Sequence, residues 1–555
     1  MTRRRLALAA LAAALVLVGC TDPNGGGDQT SSGEPTPSTT SPSATPSETP
    51  TAEPTLAWGP TEAELEQAMT DAAALSDEEA AGQVLIGTFS GTDPAAAGAA
   101  VTDLGLGGVI VFAGNVASLE QMIAVGDAVQ EAVGATRDWP GIVSVDNEGG
   151  IVQRLSAQTG PWTTFPPFQV AGAASGSPEV VSAAYEAMGR ELLASGITMN
   201  FAPDADVTVG PSDVTIGSRS AGSDPDRVAQ TVVAAYEGFS AGGMLTSAKH
   251  FPGHGSLDVD SHESLPVLDI PTAELASRDL VPFEAAVEAG VPAVMMGHIA
   301  VSDWDPGVPA SLSPAAYSYL RDELGFTGVA VTDGLDMGAL TSTWSDGEIA
   351  AQALIAGADL LLGPTDLRAA RDGILGALAD GSLSRDRLTE AAGRVIALVR
   401  WQAELAQRAG AEPADVGASA PELADLAAAA VTLVAGECSG SLAGPRIHVR
   451  GGTEDVWNAF VATAQEAGLE VVPLEQPADT DVRLLTAGSD GSAAADVAIA
   501  LDSPYPLAAS PAQTQVAAYG STPEAMAAAV AVLTGAASAP GRLPVEVGDL
   551  PASVC

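Results

Sequence analysis

Between residues 60 and 408, short apolar runs alternate with longer alanine-rich stretches that have helical character. Eight of these runs are candidate strands, and most are continuously apolar, as is typical of strands buried on both faces of a parallel sheet. The strand candidates are 83–89, 108–112, 141–145, 198–203, 245–250, 293–298, 328–333 and 358–363. Eight strand–helix units predict a (β/α)8 barrel, with a doubly wound open sheet as the alternative.

Polar residues follow several of these strands at the points where they end, and this placement favours the barrel. The residues are Asp146, Asp204, Asp206, Lys249, His250, His298 and Asp333. Barrel enzymes assemble their active sites from the carboxyl ends of several different strands. We therefore expect these side chains to surround one site.

A second α/β pattern follows the predicted barrel. The barrel is assigned to 59–408, a polar linker to 409–424 and a smaller domain to 425–555. Its strand candidates are 430–434, 446–450, 481–486, 496–501 and 515–519, and its helix candidates lie near 453–467 and 522–534. The predicted fold class is thus α/β, a TIM-like barrel followed by a three-layer α/β/α sandwich domain.

The first 58 residues are interpreted as targeting and linker sequence. Residues 1–20 combine three arginines, an apolar stretch and Leu17-Val18-Gly19-Cys20, which resembles a bacterial lipobox. That resemblance implies cleavage before Cys20, lipidation of its thiol and an extracytoplasmic, membrane-anchored protein. Residues 21–58 are rich in glycine, then in proline, serine and threonine, and are expected to form a disordered tether.

The formal net charge of −48 bears on possible partners. Such a surface repels nucleic acid and anionic lipid headgroups, so nucleic-acid binding is not expected. Cys438 and Cys555 are the cysteines left after Cys20. Outside the cytoplasm they are able to pair, and a free terminal thiol is equally compatible with the sequence. No metal-binding spacing occurs.

The segment 247–266, "SAKHFPGHGSLDVDSHESLP", concentrates candidate chemistry. It contains the only lysine of the chain, Lys249, and three of the five histidines. Asp260 and His262 are two residues apart on a predicted loop, where the carboxylate can orient the imidazole and raise its basicity. Such a pair can donate a proton to a leaving group and later accept one from water.

The motifs "KHFPGHG" (249–255), "DSH" (260–262) and "LP" (265–266) resemble the signature of bacterial β-N-acetylglucosaminidases of glycoside hydrolase family 3. Five further stretches resemble family segments in the same order. They are "LGGVIVFAGN" (106–115), "VDNEGGIVQR" (145–154), "FAPDADV" (201–207), "IGSRSAGSDP" (216–225) and "GVAVTDGLDM" (328–337). "APGRLPVEV" (539–547) resembles the end of the family's C-terminal domain.

The resemblance implies roles for individual residues. Asp333 corresponds to the catalytic nucleophile, and His262, oriented by Asp260, corresponds to the general acid/base. The residues that correspond to substrate binding and its supporting polar network are Asp146, Arg154, Asp206, Arg219, Lys249 and His250. Glu148 is interpreted as structural, and His254 as a residue that braces the loop.

The resemblance implies a retaining exo-β-N-acetylglucosaminidase that acts on muropeptides or related amino-sugar glycosides, without a cofactor or metal. Two alternatives keep the fold, a phosphorylase and a β-glucosidase. A histidine acid/base lacks the negative charge that repels phosphate, which leaves phosphorolysis open. A third alternative, from a different class, is a non-catalytic lipid-anchored carbohydrate-binding protein, because a fold alone does not establish activity.

Overall fold

Eight parallel strands form the centre of the larger domain in the computed structural model, which describes residues 55–257, 259–486 and 488–555. The strands are β1 (Leu85–Gly87), β2 (Gly108–Val111), β3 (Ile142–Val145), β4 (Met199–Asn200), β5 (Leu245–Phe251), β6 (Ala293–Met296), β7 (Val329–Thr332) and β8 (Leu361–Leu362). Each one overlaps a strand predicted from an apolar run. All residues of β5 are buried, as expected for a strand with helices outside it and packed side chains within.

The strand order around the sheet is β7–β6–β5–β4–β3–β2–β1–β8, and every pairing in it is parallel. A parallel bridge between Val331 and Leu360 joins the two ends of this order. The sheet is therefore a nearly closed barrel, and the barrel prediction is confirmed.

Helices cover the outside of the barrel. Those of this domain are α1 (Glu62–Ala74), α2 (Asp77–Gln83), α3 (Pro94–Leu104), α4 (Leu119–Gly134), α5 (Gln169–Ala173), α6 (Pro178–Ala194), α7 (Pro225–Ala241), α8 (Thr272–Ser277), α9 (Val281–Glu288), α10 (Pro314–Ser318), α11 (Gly338–Thr341), α12 (Asp346–Ala356), α13 (Leu367–Asp380) and α14 (Arg385–Ala409). Local sequence sets their ends. The Ser384 side chain accepts from the Arg387 amide at the start of α14, and Gly410 adopts a left-handed conformation at its end.

The second domain contains a mixed sheet. Its strands are β9 (Thr432–Ala435), β10 (Arg446–Gly451), β11 (Glu470–Val471), β12 (Thr480–Leu485), β13 (Val497–Ala500) and β14 (Thr514–Ala517). Their order is β9–β14–β13–β12–β10–β11, with β9 antiparallel to β14 and the other pairs parallel. Its helices are α15 (Ala420–Ala430), α16 (Glu454–Glu466) and α17 (Pro523–Thr534). The predicted α/β class of this domain is confirmed, whereas the short strand β11 was not predicted.

The two domains share a hydrophobic core. Leu485, Ala498 and Ala517 of the second sheet belong to the same buried cluster as the barrel interior. The C-terminal segment also reaches the barrel, since the Pro544 carbonyl accepts from the Ser223 amide over 3.0 Å. Cys438 and Cys555 form a disulfide, which answers the question the sequence left open.

The described chain from Thr55 onward belongs to one compact unit, and the boundaries proposed at 408 and 425 remain predictions. Trp58 is buried in the core, so the chain already packs against the barrel at the end of the expected tether. The expected signal peptide, Cys20 and residues 21–54 lie outside the described residues. Within the described part of the chain, no helix has both the length and the apolar character needed to cross a bilayer.

Candidate active site

A cavity of about 120 Å³ lies at the end of the barrel where the carboxyl termini of the strands meet. Most of the residues that line it are ionisable. They are Asp146, Glu148, Arg154, Arg219, Lys249, His250, His254, His262 and Asp333. Barrel enzymes bind their substrates at this end, so the cavity is the candidate active site.

The side chain of Lys249, the single lysine of the sequence, is almost completely buried beside two carboxylates. Its Nζ atom lies 2.9 Å from Asp146 Oδ1 and 2.7 Å from Glu148 Oε1. Burial alone would lower the pKa of Lys249, but Asp146 and Glu148 outweigh burial and raise this pKa above its ordinary value. The ammonium is therefore charged at neutral pH and fixed in place.

Glu148 connects Lys249 to Arg219. The Arg219 guanidinium donates from Nε to Glu148 Oε2 over 2.9 Å and from an Nη atom to Oε1 over 2.8 Å. Burial would raise the pKa of Glu148, but the two cations outweigh it and hold the pKa below its ordinary value. Glu148 thus stays ionised and aligns both cations at the wall of the cavity.

The ring of His250 is held in place by a hydrogen bond with Asp206. The His250 Nδ1 atom lies 2.8 Å from Asp206 Oδ2, and because an ionised carboxylate only accepts, Nδ1 carries the proton. The same carboxylate accepts the His254 amide over 2.6 Å. Burial would raise the pKa of Asp206, but His250 and His254 outweigh it and lower the pKa. Asp206 has no exposed surface and does not line the cavity, so it acts through His250.

Asp204, Asp206 and His250 place three potential metal ligands within 4.8 Å of one another. His250 and Asp206 are hydrogen-bonded to each other, whereas Asp204 Oδ2 is buried without a hydrogen-bond partner. His250 binds Asp206, and Asp204 Oδ2 lies 3.7 Å from an Nη atom of Arg219. Burial and the neighbouring Asp206 raise the pKa of Asp204 well above its ordinary value. Within the cluster, burial and the neighbouring carboxylate favour the neutral form of Asp204, whereas His250 and His254 favour the ionised form of Asp206.

Asp333 follows β7 and faces the cavity. Burial would raise its pKa, but His250, His298 and the Gly334 amide outweigh burial and lower the pKa to about 2. His298 donates from Nε2 to the Gly334 carbonyl over 2.8 Å and accepts at Nδ1 from the Ser311 hydroxyl over 2.7 Å. Asp333 is therefore an ionised carboxylate on a fixed segment, as a nucleophile requires.

Asp260 and His262 form a dyad on the loop after β5. The His262 Nδ1 atom lies 2.8 Å from Asp260 Oδ1, and the His262 amide donates to the same oxygen over 2.9 Å. Burial would raise the pKa of Asp260, but these hydrogen bonds from His262 lower it. The carboxylate fixes the tautomer and leaves Nε2 free for proton transfer.

Arg154 differs from the other cavity arginine, Arg219. No residue in the described part of the chain forms an ion pair with Arg154, and its buried Nε atom has no hydrogen-bond partner. Its main chain is fixed, because the Arg154 amide donates to Asn147 Oδ1 over 2.9 Å. The guanidinium is available to a ligand.

The structure brings together most of the residues that the sequence predicted. Seven of the nine proposed catalytic and substrate-binding residues line the cavity, while Asp206 and Asp260 support His250 and His262. The central position of Glu148 was not predicted. Its spacing from Asp146 was the available signal, since alternate residues of an extended segment share a side.

Val152, Thr215 and Ile216 also line the cavity and were not predicted. Asp213 shapes the loop that carries two of these residues. Its carboxylate accepts the amides of Ile216 and Gly217 over 2.8 and 3.1 Å. An aspartate two to four residues before a turn was the local signal for this contact.

Comparison with known proteins identifies a family for the larger part of the chain. Residues 77–398 match the Glycosyl hydrolase family 3 N terminal domain. The chain is 32% identical over 318 residues to Beta-hexosaminidase A of Pseudoalteromonas piscicida, a match covering 53% of each chain. It is 36% identical over 271 residues to a Beta-hexosaminidase of Xylella fastidiosa (strain 9a5c), which covers 47% of this chain and 76% of that relative.

Among solved structures, a glycoside hydrolase family 3 β-N-acetylglucosaminidase from Paenibacillus sp. FPU-7 is similar to both domains. The TM-score is 0.74 at 29% identity, covering 86% of this chain and 99% of that one. These matches confirm the resemblance predicted from the motifs.

Proposed function

Because the chain belongs to glycosyl hydrolase family 3, we propose that it is a retaining exo-β-N-acetylglucosaminidase. One observation carries this proposal. An ionised carboxylate, Asp333, and an imidazole oriented by a carboxylate, His262, line the same cavity. The names of the similar proteins, β-hexosaminidase and β-N-acetylglucosaminidase, support an amino sugar as the substrate.

In the first step, Asp333 attacks the anomeric carbon while the bond from that carbon to the glycosidic oxygen breaks. His262 donates its Nε2 proton to the departing oxygen, and the product is a covalent glycosyl-enzyme. Asp260 holds the His262 ring through Nδ1, which keeps Nε2 available for this transfer.

In the second step, the same groups act in reverse. Neutral His262 takes a proton from water, whose oxygen attacks the anomeric carbon, and Asp333 leaves as a carboxylate. Two inversions at one carbon retain the β configuration. The depressed pKa of Asp333 suits it both as an ionised nucleophile and as a leaving group.

The cavity wall supports recognition of one terminal sugar. Asp146 can accept hydrogen bonds from hydroxyl groups, while Lys249 and Arg219 donate them, and the unpaired Arg154 is suited to the N-acetyl oxygen. The cavity of about 120 Å³ is far smaller than the ~300–1,000 Å³ of typical drug-sized sites. A site of this size favours exo cleavage of a single residue.

Muropeptides and related amino-sugar glycosides are the proposed natural substrates, and the proposed location is the outer face of the cell membrane. The Leu17–Cys20 motif supports lipid anchoring, with the residues that precede the packed segment around Trp58 as the tether. Mass spectrometry of the mature N-terminus tests this: a diacylated Cys20 supports the anchor, and an unmodified residue refutes it.

Phosphorolysis is the second candidate, because the acid/base is an imidazole and does not repel a phosphate nucleophile as a carboxylate would. Comparison of a chromogenic β-N-acetylglucosaminide with the matching β-glucoside, with and without phosphate, separates the candidates. Hydrolysis of the amino sugar alone, independent of phosphate, supports the proposal. Formation of a sugar 1-phosphate supports the phosphorylase.

The variant Asp333→Asn tests the assigned nucleophile in the same assay, with Asp336→Asn as its matched control. Asp336 is exposed three residues later on the same segment. Turnover lost in the first variant and kept in the second supports the assignment. Sugar binding by the wild type without turnover of either substrate would favour the carbohydrate-binding protein instead.

A further inference from the structure

The loop that carries His262 has few attachments to the rest of the chain. Residues 260–264 form a tight turn, in which the amides of Glu263 and Ser264 donate to the Asp260 carbonyl over 3.0 and 3.1 Å. Across the described residues, the polar contacts from this turn to other segments are two main-chain hydrogen bonds and one side-chain contact. The His262 side chain is 69% exposed, so these contacts set its position.

Both main-chain hydrogen bonds lead to the segment that follows Asp333. The Gly338 amide donates to the His262 carbonyl over 3.1 Å, and the Ala339 amide donates to the Ser261 carbonyl over 3.1 Å. These amides open the short helix α11, where N–H groups have no partners inside the helix. Carbonyl groups of the acid/base loop thus accept hydrogen bonds from main-chain amides of the segment that begins with Asp333.

Gly338 allows the two segments to come this close. A Cβ atom at this position would lie 2.6 Å from the His262 carbonyl oxygen and 2.8 Å from that of Glu263. Both distances are well inside the ~3.5 Å at which non-bonded heavy atoms make optimal contact. Gly338 lies in a helix, whose backbone conformation alanine adopts readily, so the constraint is the loop rather than the backbone.

The third contact joins the loop to His254, a neighbour of the Asp206–His250 pair. The His254 Nε2 atom lies 3.2 Å from Ser261 Oγ, and the His254 amide is bound by Asp206. Ser261 lies between Asp260 and His262 in the chain, and its side chain is buried. This contact holds the loop on its other side.

We propose that Gly338 is a positioning residue, which docks the acid/base loop on the nucleophile segment and so sets the separation of His262 from Asp333. The inference rests on the proposed function for its kinetic readout. A side chain at residue 338 would displace the proton donor and leave the nucleophile in place.

The test is the leaving-group dependence of kcat/KM in Gly338→Ala. Proton donation matters most for poor leaving groups, and a misplacement of about 1 Å can cost ~100-fold. We expect a loss of about 10- to 100-fold with an N-acetylglucosaminyl disaccharide and less than about 3-fold with an activated dinitrophenyl glycoside. His262→Ala should show the same pattern more strongly. Azide, which attacks without losing a proton, should form a glycosyl azide and accelerate deglycosylation in both variants.

Gly376→Ala is the matched control, because it also lies in a helix and no atom comes within 4 Å of a Cβ there. It should leave kinetics unchanged for every substrate. An equal loss for good and poor leaving groups in Gly338→Ala would overturn the proposal, since a structural defect lowers both alike. Unchanged kinetics would overturn it as well.

Two further measurements keep the inference testable if Gly338→Ala does not fold. Ser261→Ala removes the side-chain contact with His254 and should show the same leaving-group pattern with a smaller loss; a uniform loss counts against the docking.

Hydrogen exchange at the Gly338 and Ala339 amides of the wild type should be slow, and fast exchange would refute the docking. A wild type that turns over no N-acetylglucosaminide while these amides are protected would refute the proposed function alone.

Discussion

The ammonium of Lys249 lies 2.7 Å from Glu148 Oε1, and both side chains are almost completely buried. Glu148 also forms two hydrogen bonds with Arg219, so one carboxylate aligns two cations at the wall of the cavity. This arrangement explains why a chain that otherwise uses arginine has a lysine here. A compact ammonium fits between Asp146 and Glu148, whereas a planar guanidinium would not.

Substitution of Lys249 should affect both stability and activity. Lys249→Met leaves Glu148 buried with one cation fewer, and breaking a buried ion pair typically costs about 3–5 kcal/mol. Urea unfolding should therefore show a comparable loss. Lys249→Arg keeps the charge and should still lower kcat/KM by at least about tenfold, because the fork geometry differs. Wild-type kinetics in Lys249→Arg would contradict the proposed role.

Loss of the Asp260 carboxylate should impair His262 without changing the fold. In Asp260→Asn the side chain no longer fixes the Nδ1 proton or stabilises the imidazolium, so kcat should fall by about 100-fold. The exposed position of both side chains predicts a thermal unfolding temperature close to that of the wild type. Steady-state kinetics and calorimetry check the two halves of this prediction. Full activity in the variant would remove Asp260 from the mechanism.

Asp279 should make stability depend on pH. Burial raises its pKa to about 6, although the neighbouring Arg278 opposes this effect. A carboxyl whose pKa is higher in the folded than in the unfolded state loses stability as pH rises from about 4 to about 6. Asp279→Asn removes this cost, so the variant should gain up to about 3 kcal/mol relative to the wild type at pH 7.5.

Measurement of urea unfolding for both proteins at pH 4.5 and pH 7.5 tests this prediction. The difference in the free energy of unfolding should be small at the lower pH and favour the variant at the higher one. A variant that is less stable at pH 7.5 would show that the ion pair with Arg278 outweighs the burial of Asp279.

Asp359 should be essential for closure of the barrel. Its carboxylate accepts from Arg321 over 2.6 Å, Arg387 over 2.9 Å and Arg394 over 3.2 Å, at the junction of β7 and β8. Asp359→Asn leaves Arg321 without an ion-pair partner among the described residues and leaves Arg387 and Arg394 with Glu390 alone, so it should cost about 3–5 kcal/mol. The KM of the protein that remains folded should not change, because Asp359 lies outside the cavity. A change in KM at unchanged stability would contradict this structural role.

Much of the fold was predictable, because the barrel strands are buried on both faces and therefore appear as continuous apolar runs. The strand Glu470–Val471 was not, since two residues at a sheet edge carry no periodic signal. The disulfide between Cys438 and Cys555 was left open for a related reason: sequence separation says nothing about which termini meet in space.

The site was predictable where motifs mark strand ends, as at Asp146, Lys249 and Asp333. Contacts between distant segments were not predictable. The docking of Gly338 against the carbonyl groups of residues 262 and 263 depends on backbone placement, which no local pattern encodes. The bridging role of Glu148 likewise appears only when the segments carrying Lys249 and Arg219 are brought together.

The identity of the nucleophile is tested most directly by trapping the glycosyl-enzyme. A 5-fluoro N-acetylglucosaminyl fluoride should form the covalent intermediate faster than water releases it, and peptide mass spectrometry then locates the sugar. We predict one sugar per chain, attached to Asp333, together with product of retained β configuration by NMR. Attachment to another residue, or inverted product without any adduct, would contradict the account.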